Sequence, residues 1–486
     1  MSKVKSITRP ILTSEEYFQS IRDMGTEIWA FGEKNSEIAD HPLFFPHVNA
    51  VAKTYELAPK VKSHISGKDI SRFNHIHQST DDLVKKAKML RVLNQQTACC
   101  IQRCAGMDAL NATYIVTYEI DQKYGTDYHE RFNKFLSYVQ DYNLVTIGAM
   151  TDVKGDRSKK SNEQADPDLF VHAIEEREDG IIVRGAKAHL TGVTGAHEMM
   201  VFPTENMKEA SKDYALVFSC PVDTPGITYI FGRQTNDSRK LEKGDIDKGN
   251  AQYACVGGEC IAIFDDVFIP WEDVYMYKEY EFAGMFVEAF ATSHRQNYGA
   301  CKGGICDVLI GATYGIAKAN GVEKASHIKD KIGEMIHLSE TLYASSIACS
   351  NEGRKTSSGA YIANTMLANV TKLNTTKFIY EVNRLAHDIC GGILATLPSE
   401  ADFIHPEIGP LLEKYLRGIP TISTNEKQRL LRLVETLSGG TASVEAMHGA
   451  GPPQAQKVMM LRDANLEAKL KLAQKIAGIS KSEDTI

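Results

Sequence analysis

Apolar residues recur at three- and four-residue intervals over the first 150 positions and again beyond about position 279, which is the spacing of amphipathic helices. Between these regions lie short β-branched and aromatic runs separated by turn residues, the pattern of strands. Ser14–Arg22 starts on a serine and carries Glu16 near its first turn, which predicts a capped helix. The Asp40-His41-Pro42 stretch and Pro46 interrupt the pattern. A helical alternation opened by Ser79-Thr80-Asp81-Asp82 then runs past Leu90 into residues 95–107, QQTACCIQRCAGM. Residues 111–122 and 128–140 continue in the same style.

Near position 150 the texture changes to a loop rich in glycine, aspartate, serine and proline. Strand-like runs follow at residues 180–185, 199–202, 214–220, 227–231 and 260–268, closed by Pro270. The later region predicts longer helices at residues 327–343 and 363–385, packed as an antiparallel bundle. Pro398, Pro406, Pro410 and Pro420 mark an irregular connection, Ser423 and Glu426 have capping-box spacing, and a charged helix is expected over residues 454–476. The fold class is therefore α+β, divided into an N-terminal helical domain (1–150), a middle β-domain (151–278) and a C-terminal helical bundle (279–486).

Composition narrows the function classes. A chain of 486 residues with 43% hydrophobic and 24% charged positions has ample core, and its net charge of −7 with no basic block gives nucleic acid no footprint. The N-terminus carries no apolar export segment and no run approaches the ~18 apolar residues of a membrane helix, so a cytoplasmic protein is expected. Ten scattered cysteines then read as thiols or ligands rather than disulfides.

Within QQTACCIQRCAGM, Cys100 and Cys104 stand four apart, on one face of the expected helix, whereas Cys99 points about 100° away. In residues 294–302, HRQNYGACK, His294 and Cys301 stand seven apart. Together they form a Cys₃His set that suits zinc or an iron–sulfur cluster held between packed helices, although any single cysteine is more often a core residue. No glycine-rich dinucleotide motif follows a predicted strand and no phosphate loop is present. The order helix, strand, helix matches the acyl-CoA dehydrogenase architecture, in which flavin lies between the β-domain and the C-terminal bundle.

Residues 97–106 (TACCIQRCAG), 148–157 (GAMTDVKGDR), 184–192 (RGAKAHLTG), 294–302, 397–403 (LPSEADF) and 447–456 (MHGAGPPQAQ) together resemble the 4-hydroxybutyryl-CoA dehydratase family. The resemblance runs from about residue 15 to the end of the chain. The wider superfamily includes flavin-dependent 4-hydroxyphenylacetate hydroxylases, which share the fold but lack the cysteine ligands. The resemblance implies an acyl-CoA dehydrogenase-like fold with a middle β-barrel, and a [4Fe–4S] cluster on Cys100, Cys104, His294 and Cys301. It also implies FAD contacted by Met150, Thr151, Asp152, Lys154, Gly155, Asp156 and Arg157 and by Thr191. Gln102, Glu259, Tyr298, Lys302 and Glu445 are implied near the substrate; taken singly, Glu259 is a surface carboxylate, Tyr298 a packed aromatic and Lys302 a solvated charge. Gly391 and Gly392 either let the chain approach a cofactor or end a helix.

The implied activity is dehydration of 4-hydroxybutyryl-CoA to crotonyl-CoA through a flavin-generated ketyl-type radical, with the cluster as Lewis acid, together with vinylacetyl-CoA Δ-isomerisation. His294 is implied as a labile ligand that doubles as a base, Glu445 as a second acid–base group, and Tyr298 and Lys302 as donors to the hydroxyl or the thioester oxygen. A homotetramer built as a dimer of dimers is the implied assembly. An aromatic hydroxylase using reduced flavin and oxygen, and a protein in which zinc only joins two helices or exposed thiols sense oxidation, are the competing readings.

Overall fold

The computed structural model describes residues 2–250 and 252–479. Ser14–Arg22 is a helix whose N-cap, Thr13, forms a reciprocal capping box with Glu16. Thr80–Thr97 is likewise capped, the Ser79 hydroxyl accepting from the Asp82 amide at 3.1 Å. This helix does not continue through the cysteines as its pattern predicts. It stops at Thr97, and a new helix, Arg103–Tyr124, begins five residues beyond Ala98. Ala98 and Gln102 both adopt positive φ, at 49° and 66°. Backbone groups in the break bond to a distant segment instead of to the preceding turn: the Cys100 amide donates to the Cys255 carbonyl at 3.3 Å, and Asn250 Nδ2 donates to the Thr97 carbonyl at 2.8 Å.

The strands form two main sheets. The larger runs in the spatial order Glu33–Asn35, Ile28–Ala30, Ile227–Phe231, Cys260–Pro270, Gly180–Leu190, His172–Glu176; the smaller runs Val274–Tyr277, Leu216–Pro221, Glu198–Val201, Thr146–Ala149. Strands from the N-terminal region thus join both sheets, Ile28–Ala30 pairing parallel with Ile227–Phe231 and Thr146–Ala149 parallel with Glu198–Val201.

The expected β-barrel is not formed: among the described residues both sheets are open. Leu216–Pro221 and Glu198–Val201 are buried at every position, with Arg103–Tyr124 and Tyr128–Tyr142 against the smaller sheet and Cys260–Pro270 of the larger sheet packed on it. Layers that cover both faces hold the sheet open between them.

The C-terminal region is helical, built on the long helix Ala283–Ala319, with Ser326–Asn351, Thr365–Cys390 and Thr424–Ser438 against it. Ser423 and Glu426 form the expected capping box. The expected last helix is two, Pro453–Asp463 and Leu466–Ile476, the second capped by Asn465 Oδ1 accepting from the Ala468 amide at 2.9 Å.

Glycine lets the long helix pack closely. A Cβ on Gly304 would overlap the Arg91 carbonyl oxygen on Thr80–Thr97, which is backbone and cannot move aside. Gly304→Ala is therefore expected to destabilise the protein by about 1–3 kcal/mol, read as a lowered midpoint of thermal unfolding; an unchanged midpoint would show that the two helices separate freely.

Candidate active site

The break at residues 98–102 and the long helix place the thiols of the Cys₃His set near one another, while His294 is held on Asp108. Cys104 sits in the first turn of Arg103–Tyr124 and Cys100 in the break before it, while His294 and Cys301 lie two turns apart on Ala283–Ala319. The neighbouring Cys104 thiol holds Cys100 below its usual pKa despite burial. The same contact, with burial, pushes Cys104 well up, and Cys100 and Cys301 both act on it. Burial pushes Cys301 up to about 12, against the nearby Lys302 ammonium. Three thiols from two elements therefore lie in electrostatic reach of one another. Among the described residues no group of three His, Cys, Asp or Glu side chains closes to the spacing of a single metal ion.

The fourth member, His294, is oriented by a group that the sequence pattern did not single out. Its Nδ1 lies 2.8 Å from Asp108 Oδ2. Asp108 is fully buried and also accepts from Lys86 Nζ at 2.6 Å and Asn297 Nδ2 at 2.6 Å. Lys86, equally buried, adds a bond to the Ser293 carbonyl at 3.1 Å. With Nδ1 engaged on a carboxylate, Nε2 is the nitrogen left to bind or exchange a proton. One signal for Asp108 was present in the sequence: it is a lone carboxylate one helical turn after Cys104 in an otherwise apolar stretch.

Next to the thiols lies a second constellation. Glu445, on helix Gly440–His448, accepts from the Tyr298 hydroxyl at 2.8 Å and from Lys302 Nζ. Burial opposes its ionisation, but Lys302, Tyr298 and the nearby Lys372 outweigh that and hold the carboxyl below its usual range. Glu259 behaves in the opposite way. Burial first, then the Cys100 thiol, push its carboxyl well above the usual range, although the Thr191 hydroxyl lies 2.8 Å from each of its oxygens. Tyr298 also packs edge-on against His294, ring centroids 5.6 Å apart. Gln102 Nε2 donates to the His47 carbonyl at 2.9 Å, leaving its buried Oε1 without a hydrogen-bond partner. Two carboxyls whose surroundings push their ionisation in opposite directions are the usual mark of an acid–base pair.

The loop that begins at Met150 is pinned at its root. Lys187 Nζ donates to the Met150 carbonyl at 3.1 Å, to the Phe202 carbonyl at 2.6 Å and to Asp152, and the Ala188 amide donates to the Thr151 carbonyl at 2.8 Å. Lys187 holds the root of this loop, a role that periodicity could not find, since it alternates like any strand residue. The stretch Lys154, Gly155, Asp156 and Arg157 is exposed, with Gly155 at φ 52°. Gly391 ends Thr365–Cys390 at φ 76°, and a Cβ on Gly391 or Gly392 would meet open space within the chain. Among the described residues no helix is long and apolar enough to cross a membrane.

Comparison with known proteins places this arrangement. Residues 13–276 match the model of the 4-hydroxyphenylacetate 3-hydroxylase N-terminal region and residues 283–478 that of its C-terminal region. The 4-hydroxybutyryl-CoA dehydratase/vinylacetyl-CoA-Δ-isomerase of Clostridium aminobutyricum is 51% identical, over 96% of this chain and 100% of that protein. The chain belongs to the 4-hydroxybutyryl-CoA dehydratase family. An archaeal member of that family from N. maritimus, described as oxygen tolerant, superposes with a TM-score of 0.95 at 49% identity, covering 98% of this chain and 96% of the other. The oxygenase component of 4-hydroxyphenylacetate 3-monooxygenase in complex with FAD shares the fold, with a TM-score of 0.83 at 23% identity, over 96% of this chain and 98% of the other. The corresponding component from Thermus thermophilus is 27% identical over 89% of this chain and 90% of that protein.

Proposed function

We propose that the chain dehydrates 4-hydroxybutyryl-CoA to crotonyl-CoA and isomerises vinylacetyl-CoA to the same product. The observation that carries this is the pair Glu259 and Glu445, whose surroundings push their ionisation in opposite directions beside the thiols of Cys100, Cys104 and Cys301. The isomerisation needs one proton removed from C2 and one delivered to C4, which an ionised and a protonated carboxyl can do between them. The dehydration is harder, because the hydroxyl leaves C4 while the C3 proton is not acidified by the thioester.

The residues fit both implied cofactors. Cys100, Cys104, Cys301 and His294 Nε2 offer soft donors from two helices and the break between helices, a donor set whose chemistry suits a [4Fe–4S] cluster. The pinned loop Met150–Arg157 and Thr191 offer polar groups at a solvent-open edge next to Glu259, which suits FAD. When bound, FAD supplies a transient one-electron sink and the cluster a Lewis acid for the departing hydroxyl.

The protein's own part is to hold and move protons. Tyr298 and Lys302 donate to Glu445 in the free protein. A thioester oxygen entering between them would take those bonds, and burial, then opposed only by the charges of Lys302 and Lys372, would make the Glu445 carboxylate a stronger base beside C2. Glu259 supplies a proton, and His294 Nε2 exchanges the second. Gln102, in contact with neither carboxyl by hydrogen bond, presents its free Oε1 as an acceptor for substrate. On this reading Gly391 and Gly392 serve to end their helix, the last two units meet near residue 278, where the two family models divide, the first two meet near residue 150, and the protein is cytoplasmic. Exposed Val458, Leu461, Leu466, Leu470 and Leu472 give a homotetramer, a dimer of dimers, an apolar surface to bury.

Anaerobically purified protein is expected to contain iron, sulfide and flavin and to form crotonyl-CoA from both substrates. Colourless, iron-free protein, or flavoprotein that hydroxylates a phenol with reduced flavin and oxygen, would overturn the proposal.

A further inference from the structure

Lys372 lies in the middle of helix Thr365–Cys390 and is fully buried. Its Nζ donates to the carbonyls of Ala446 at 2.6 Å and Met447 at 3.2 Å, which belong to the last turn of Gly440–His448. Those carbonyls lack partners within their own helix, and a cation there also meets the negative end of the helix dipole. The ammonium lies 4.4 Å from the centroid of the Tyr298 ring. Ala446 directly follows Glu445, and a Cβ on Gly449 would overlap both the Tyr298 hydroxyl and Glu445. One side chain therefore ties down the helix end that carries Glu445 and packs on the ring that donates to it.

We infer that Lys372 is a positioning residue for the Glu445 carboxylate, fixing from a third helix the distance between Glu445 and the Tyr298–Lys302 donor pair. It makes no hydrogen bond to Glu445, so it positions the carboxylate through the backbone at Ala446 and the face of Tyr298, besides favouring its ionisation by charge. A buried cation with no carboxylate in direct contact is a costly choice where methionine would pack as well. A charge at this place can keep the helix end fixed when substrate draws Tyr298 and Lys302 away. Burial lowers the Lys372 pKa to about 7; Glu445 opposes this, while Lys302 and Arg295 add to it and Cys301 works against it. The anchor is therefore charged below neutrality and weakens as pH rises through about 7.

The inference rests on the proposed isomerase reading, and the wild-type holoenzyme separates the two. No crotonyl-CoA from vinylacetyl-CoA in wild type sinks the function, not the anchor. The anchor has its own readout in the ε-nitrogen resonance of Lys372, assigned by its loss in Lys372→Arg: it should titrate near pH 7, and Glu445→Gln should move that midpoint lower. A Lys372 midpoint unaffected by Glu445→Gln overturns the coupling. In the holoenzyme, Lys372→Met should lower isomerase kcat at least tenfold with KM changed less than threefold and iron and flavin retained. Wild-type kcat, or a change confined to KM, overturns the inference. Should Lys372→Met fail to fold, Lys372→Arg decides: it should keep turnover and lose the alkaline decline that begins near pH 7, and an unaltered pH profile refutes the role.

Discussion

Glu445→Gln is expected to lower kcat for both vinylacetyl-CoA isomerisation and 4-hydroxybutyryl-CoA dehydration by about 10²–10⁴-fold, the usual contribution of a positioned acid–base group. Glutamine preserves the size of the side chain and still accepts from the Tyr298 hydroxyl, so the local packing should survive. What it removes is the charge. Lys302, 9% exposed on its side chain, then loses the carboxylate that holds its ammonium well above the usual range. Both reactions should suffer alike, because each begins with loss of the C2 proton. Iron and flavin contents should match wild type, since Glu445 belongs to neither set of proposed ligands. Steady-state kinetics on each substrate with metal and flavin analysis checks this. A variant that isomerises at the wild-type rate would remove Glu445 as the base. One that isomerises normally but no longer dehydrates would instead assign it to the departing hydroxyl.

The parts of this constellation were not equally legible in the sequence. His294, Tyr298, Cys301 and Lys302 fall on one continuous helix, where spacing alone fixes which side chains share a face. The strands of the middle region and caps such as Ser423 with Glu426 were readable for the same local reason, whereas Ile28–Ala30 and Thr146–Ala149 lie in a region whose pattern reads as helical. The turn at residues 98–102 was not, because its sequence has helical texture. The turn exists because Asn250 and Cys255, some 150 residues later, bond to its backbone, and local propensity carries no trace of that. The barrel expectation failed in a related way. Alternation and β-branching identify strands, but whether a sheet closes depends on what covers its two faces, and here helices from the first 150 residues and a strand of the larger sheet do so. The family motifs pointed to Glu445 and Glu259, yet the opposite push on their ionisation follows only from the placement of Lys302 and the depth of burial. Lys86 and Lys372 were invisible because each acts across a helix–helix contact, and Asp108 showed only as a lone carboxylate one turn after Cys104.

Asp108→Asn is expected to have the second large effect, and to separate stability from chemistry. In the native protein Asp108 offsets the charge of Lys86, and both are fully buried. Removing one member of such a pair leaves an uncompensated buried charge at a cost of about 3–5 kcal/mol, so the thermal midpoint should fall steeply. Replacing both by apolar residues, in Lys86→Met/Asp108→Leu, removes the stranded charge and should recover much of that stability. It cannot recover the bond to His294 Nδ1. The imidazole would then be free to change tautomer and turn, and loss of such an outer partner typically weakens metal binding by about 10–100-fold. The double variant should therefore unfold near the wild-type temperature while losing iron faster to a chelator and turning over poorly. Nitrogen NMR of His294 in the cofactor-free protein gives a readout independent of activity: a single Nδ1-protonated tautomer in wild type, and a mixture in the double variant. If the double variant kept its iron, its tautomer and its turnover, Asp108 would be a packing residue and the orientation of His294 would have to come from the ring contacts with Phe290 and Tyr298 alone.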